Sequence, residues 1–127
     1  VSLVRPDRVI AVDALSAREA ARLCRAVQVT DAGIVPGSGV GNARSALTEE
    51  TLGVPVVAVG VPTVVDARTL CADLSGAEID LPEDTELFVT PRDIDSRVRD
   101  SARLVGYAID LALHDALTIE DIDMFLA

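Results

Sequence analysis

Six consecutive residues, Val54 to Val59 (VPVVAV), offer no polar side chain to either face of a strand. A half-buried strand alternates apolar and polar positions, so a run without alternation must be covered on both sides. That places the run in the middle of a parallel sheet with helices on its faces. The composition agrees. There is no Trp, one Tyr (Tyr107) and two Phe (Phe88 and Phe125), so the core must be built from Val, Leu, Ile and Ala. Such a core suits a layered α/β protein better than an aromatic-rich β-sandwich. With 127 residues, 50% of them hydrophobic and 25% charged, the chain has enough apolar material for one compact domain over residues 1–127.

Strands and helices alternate along the chain. Arg8 to Val12 (RVIAV) is a short apolar run bounded by Pro6-Asp7 and ended by Asp13, the pattern of a buried strand. Ser16 with Glu19 has the spacing of a capping box and predicts a helix to about Arg25. Val27 to Thr30 predicts a second strand. Asp31 to Asn42 (DAGIVPGSGVGN) holds four Gly and one Pro and must be a loop with special backbone angles. Thr48 to Leu52 predicts a helical turn stopped by Gly53. After the Val54 strand, Gly60-Val61-Pro62-Thr63 is expected to turn into a helix from about Val64 to Leu74.

Ser75 to Asp84 is acidic and reads as a surface connection, followed by a strand at Glu86 to Val89. Thr90 before Pro91 predicts the start of a long helix that runs from Arg92 to about His114. Its residues Ile94, Val98, Ala102, Val105 and Ile109 keep helical spacing. Thr118 with Asp121 predicts a last short helix. The expected architecture is α/β: a three-layer αβα arrangement with a mostly parallel sheet.

Charge and residue types exclude several chemistries. All eleven basic residues are Arg, so no Schiff-base or general-base Lys is present. The net charge of −10 repels phosphate backbones, which makes nucleic acid and anionic membrane surfaces poor partners. No apolar run approaches the ~20 residues that span a bilayer, and no secretory signal is seen. Cys24 and Cys71 belong to no CxxC pair and read as small core residues of a reducing compartment, with the cytoplasm as location. His114 is the only histidine. It has no nucleophile elbow to serve and too few companions for zinc. No metal and no cofactor is expected.

Ligands of open α/β sheets bind at the carboxyl ends of strands. Three features are expected there. Asp13 follows RVIAV, where partial desolvation suits a carboxylate to proton exchange; the alternative is a cap for the helix near Ser16. The loop Gly37-Ser38-Gly39-Val40-Gly41-Asn42 lacks the spacing of a dinucleotide fingerprint and the Lys of a P-loop. It is either a backbone wall against a substrate or chain segment, or a structural turn. Asp66 favours the positive end of a helix dipole.

The order PDRVIAVDAL, then VQVTDAGIVPGSGVGNARSALTEETLGVPVVAVGVPTVVDA, then LFVTPRDID and ALH resembles the C-terminal half of the germination proteases. Members of that family are endopeptidases of spore-forming bacteria that degrade small acid-soluble spore proteins at germination. The resemblance implies an αβα fold similar to hydrogenase maturation endopeptidases, homo-oligomers formed after zymogen processing, and action in the spore core. It implies an aspartic-type mechanism in which Asp13, within its D-A-L motif, is one of two aspartates. The other belongs to an upstream Pro-Asp-Ala-Leu-Gly motif that this sequence does not contain. The strands that carry it are expected to be missing too, and Val1 reads as the start of a piece of something longer. Gly37, Gly39, Gly41, Asn42 and Asp66 are then candidates for substrate binding, with the loop amides as oxyanion donors. The short connection from Asp66 to Phe88 departs from relatives that carry a long insertion there. A non-catalytic binding or assembly module of the same fold is the competing expectation. An unpaired sheet edge that favours self-association is expected with either.

Overall fold

A computed structural model describes residues 1–41, 44–77, 80–82 and 86–126. They fall into two compact units, Val1–Arg92 and Asp93–Ala127.

The first unit is built on a four-stranded sheet. β1 (Val9–Ala17) and β2 (Gln28–Thr30) flank β3 (Val56–Asp66), and β4 (Phe88–Val89) pairs with the end of β3. The β1–β3 ladder is parallel and runs from Val9↔Val56 to Ala17↔Val65, the longest ladder by far. β2 and β4 add short antiparallel ladders of three and two residue pairs. The class is therefore α/β with a mainly parallel ladder, as expected, and its elements are compatible with a three-layer αβα arrangement. Val56 to Val59 of the VPVVAV run lie in the central strand, which Val54 and the exposed Pro55 precede. Val56, Ala58, Val59, Val61 and Val65 are buried, Val65 completely. Burying a Val side chain stabilises by roughly 1.5–3 kcal/mol, so β3 is the main apolar contributor to this unit.

β3 is longer than its sequence predicts. The expected turn at Gly60 to Thr63 does not form, and strand pairing continues to Asp66. Pro62 is tolerated because its missing N–H falls between two ladders. β2 pairs only as far as Gly60 and β4 begins at Val65, while the Pro62 carbonyl accepts from the Cys24 amide at 2.7 Å. A proline costs a strand little where no ladder bond is due. The register steps once, between Leu15 and Ser16, and leaves Thr63 of β3 without a partner in β1. This is a β-bulge.

β1 also runs past its expected end, through Asp13 to Ala17. The helix expected from Ser16 to Arg25 is reduced to one 3-10 turn at Ala20–Arg22, whose amide at Ala20 binds Asp73 Oδ2 at 2.7 Å. Pairing of Leu15 and Ala17 with Pro62 and Val65 outweighs the capping pattern, because it buries Ala17. Cys24 and Cys71 are half-buried rather than core residues.

Two short helices complete the first unit. α1 (Glu49–Leu52) starts at a reciprocal Thr48–Thr51 capping box and ends at Gly53 in the left-handed region. α2 (Ala67–Ser75) begins at Asp66 and ends at Gly76, also left-handed. Glycine closes both helices because only it adopts that conformation without strain.

The second unit contains α3 (Ile94–Leu113) and α4 (Ile119–Leu126). Thr90 does not cap α3. Its hydroxyl donates instead to the Thr63 carbonyl at 2.9 Å, the unpaired bulge residue in the first unit, and Asp93 takes the cap position. The Thr118–Asp121 capping box forms as expected: the Thr118 amide and hydroxyl bind Asp121 Oδ2 at 2.9 and 2.8 Å, and the Asp121 amide donates to Thr118 Oγ1 at 3.2 Å. Val105 and Ile122 are the buried side chains of this unit among the described residues. Tyr107 bridges the two helices. Its hydroxyl donates to Asp123 Oδ1, and Arg103 reaches both groups. No described helix is long and apolar enough to cross a membrane.

Candidate functional site around Asp13

Asp13 lies in the middle of β1, not at its end, and is half-buried. It is not the cap of a following helix. Its Oδ1 accepts from the amide of the next residue, Ala14, at 2.9 Å, which restricts the carboxylate to orientations close to its own strand.

The ladder defines its surroundings. Asp13 pairs with Gly60, and Gly60 pairs on its other side with Gln28. Residues in one row of a sheet point to the same face. Along β3 that face carries Val56, Ala58, Gly60 and Pro62, all buried. Asp13 therefore belongs to the more buried face of the sheet. The opposite face carries Val12 and Val29, 56% and 66% exposed.

The glycine segment follows β2. Gly33 and the isolated bridge between Ile34 and Leu47 clamp its base, with Ile34 N–H donating to Leu47 O at 3.0 Å and Leu47 N–H to Ile34 O at 2.8 Å. At its tip, Gly37 and Gly41 take left-handed angles (φ 75° and 70°) around a 3-10 turn at Ser38–Val40. The amides of Ser38, Val40 and Gly41 donate to the carbonyls of Val35, Gly37 and Ser38. Those three N–H groups are engaged within the loop. Gly39 is the residue that approaches the sheet: a Cβ there would stand 2.9 Å from the Ser16 amide nitrogen and 3.0 Å from Ser16 Cβ. The loop thus packs its backbone against β1 three residues beyond Asp13, roughly 10 Å along the strand. Glu86 lies at the other end of the turn, with its carboxylate 4.0 Å from the Cβ position of Gly41. Asn42 lies outside the described residues.

Asp66 has a defined local role. It is the cap of α2, and its Oδ1 accepts from the amides of Arg68 at 2.9 Å and Thr69 at 3.2 Å. It stands six residues beyond Gly60 on β3, which at ~3.3 Å per residue is roughly 20 Å from the row of Asp13. A carboxylate pair that shares a proton needs a separation of a few ångströms. Asp66 is therefore not the partner of Asp13 in such a pair. Of the residues named in advance, the structure brings Gly39 to the strand that bears Asp13 and leaves Asp66 apart. Among the described residues no three His, Cys, Asp or Glu side chains come together as metal ligands. Sequence reasoning missed Leu15, which fills the space above Gly60. Its signal was the Asp-Ala-Leu spacing, which on a strand puts Leu15 on the face of Asp13.

Comparison with known proteins gives a consistent picture. A family model described as Germination protease matches residues 1–80. The germination protease of Clostridium tetani is 36% identical over 155 residues, covering 97% of this chain and 48% of its own length. That of Caldanaerobacter subterraneus subsp. tengcongensis is 37% identical over 158 residues, covering 99% and 49%. A shorter match of higher identity, 59% over 69 residues, links 54% of the chain to 19% of the germination protease of Bacillus pumilus. The chain spans about half the length of the first two relatives. Residues 1–80 contain β1 with Asp13, the glycine loop and all of β3, so the family model covers the whole central ladder. The chain belongs to the germination protease family.

Proposed function

We propose that this chain carries half of a paired-carboxylate endopeptidase site, with Asp13 as the half it supplies, and that its substrates are small acid-soluble spore proteins degraded in the spore core at germination. The observation that carries the reading is the position of Asp13. It is a half-buried carboxylate on the buried face of the principal ladder, with a glycine for its neighbour in the row, in a chain of a family whose members are named as proteases.

The chemistry follows from a second carboxylate nearby. Two close carboxylates share one proton, because both cannot ionise together. The ionised member takes a proton from water as the oxygen attacks the scissile carbonyl. The protonated member polarises that carbonyl and then delivers its proton to the leaving amine. Among the described residues β1 has one ladder partner, β3, so its other edge is open. A strand laid along that edge would stand ~4.8 Å away, close enough to set its own carboxylate beside Asp13. The aspartic mechanism, the zymogen step and homo-oligomer formation all belong to this proposal, as does a glycine loop that walls the substrate at Gly37, Gly39, Gly41 and Asn42. The loop's contact with Ser16 supports the wall.

A second reading is a binding or assembly module without catalysis. The row of Asp13 favours it, since Gly60 and Gln28 supply no carboxylate. One experiment separates the two. The chain, the complete gene product and its Asp13→Asn variant are incubated with a small acid-soluble spore protein, and products are followed by mass. Cleavage by the complete product alone supports the paired site. Equal cleavage by Asp13→Asn overturns it, and no cleavage by any of them favours the module.

A further inference from the structure

We propose that Leu15 and Gly60 act together as positioning residues for the Asp13 carboxylate, an inference that rests on Asp13 being the working acid. Three observations lead to it. First, Asp13 and Gly60 share a row of the parallel ladder, so the place of a β3 side chain next to Asp13 is vacant. Second, the vacancy is filled from β1 itself. Leu15 Cδ1, Cγ and Cδ2 stand 2.3, 2.7 and 3.1 Å from the position that a Cβ on residue 60 would take. Leu15 follows Asp13 by two residues on the same face, and its isobutyl group leans back across β3 into the row of Asp13. Third, the carboxylate has its own polar tether, the Ala14 amide at 2.9 Å from Oδ1.

The tether fixes one oxygen, and the apolar volume over Gly60 closes the β3 side of the row. A carboxylate between a hydrogen-bond donor and a hydrocarbon wall keeps one rotamer and excludes water from one side. Catalytic groups need that definition, since a misplacement of about 1 Å costs about a hundred-fold in rate. Glycine at 60 is required because any Cβ would occupy the volume of Leu15. The two residues form one device: a gap and the side chain that fills it.

The test exchanges the filling group between strands. In the chain, three-bond couplings to Asp13 Cγ report its χ1, and exchange of the Ala14 amide reports the tether. The parent is expected to show one Asp13 rotamer. Gly60→Ala displaces Leu15 and should give rotamer averaging with faster Ala14 exchange. Leu15→Ala introduces no clash and should give the same averaging by leaving a void. The double variant Gly60→Ala, Leu15→Ala restores an apolar group over the row and should recover the single rotamer. In the complete gene product, Leu15→Ala should lower kcat for cleavage by at least about ten-fold with KM nearly unchanged, the mark of lost positioning. A single Asp13 rotamer and parental kcat in Leu15→Ala would overturn the inference. If Asp13→Asn cleaves as fast as its parent, the peptidase reading falls, and the couplings still decide whether Leu15 and Gly60 hold the carboxylate.

Discussion

A Cβ on Gly33 would lie 2.3 Å from the carbonyl oxygen of Leu47, the same oxygen that receives the Ile34 amide. Gly33 also has φ +81°. Gly53 has nearly the same angle, +73°, but nothing within 4 Å of its Cβ position. The pair separates two costs that usually come together. Gly53→Ala bears only the left-handed backbone, about 1 kcal/mol. Gly33→Ala adds a backbone collision and should cost about 2–5 kcal/mol. Denaturant unfolding of the two variants checks this; equal losses would show that the base of the glycine loop yields.

Asp66 is expected to act on stability first. Asp66→Ala removes the acceptor for two α2 amides and should cost about 1–2 kcal/mol. Asp66→Asn keeps an oxygen acceptor and should recover most of that loss. If Asp66→Asn instead matches the parent in unfolding but weakens substrate binding, Asp66 has a role at the site as well.

Asp121 makes α4 sensitive to acid. Hydrogen bonds from the Thr118 amide and hydroxyl hold its carboxyl below its ordinary value, which is about 4. A depressed folded value means that the stabilising contribution is complete above the ordinary value and is lost as pH falls through the lowered one. Carbon chemical shifts of residues 119–125, followed from pH 5 down to about 2.5, should show α4 fraying over that lower range. Asp121→Asn should remove the pH dependence. Shifts that stay helical to the end of the titration would contradict the capping role.

Tyr107 joins α3 to α4 through Asp123 and Arg103, but Arg103 and Asp123 are more than half exposed. Solvent screens such groups, so Tyr107→Phe should cost no more than about 1 kcal/mol. Val65→Ala, at a fully buried position, should cost about 2–3 kcal/mol. The order of these two losses in thermal unfolding distinguishes an exposed clamp from core packing.

Much of the fold is legible in the sequence where one force dominates. VPVVAV reads as a central strand because burial on both faces leaves it no other place. The long helix over Ile94–Leu113 and the Thr118–Asp121 cap are local patterns, and they form as their residues predict. The misreadings fall where tertiary pairing competes with a local signal. Ser16 and Glu19 have capping spacing, yet Ser16 is drawn into β1 by the ladder with Val64. Pro62 looks like a strand end, yet it falls in the gap between the β2 and β4 ladders. Thr90 looks like a helix cap, yet its hydroxyl donates to the carbonyl of Thr63, the residue without a register partner in β1. At the site, Asp13 and the glycine loop stand out by residue type. The vacancy at Gly60 depends on which residue faces it across two strands, and no local pattern encodes that.

The bulge at Thr63 gives the sheet a parity lock. Up to Pro62 the more buried residues of β3 on the Asp13 face are even-numbered, Val56, Ala58 and Pro62; beyond it the fully buried residue is odd-numbered, Val65. One unpaired residue between them lets both sets meet the same face of β1. A ladder without this extra residue could satisfy the first half or the second, never both, because a shift of one residue turns a whole set outward. The ladder therefore has one low-energy alignment, and the alignment that buries Val65 is the one that sets Asp13 opposite Gly60.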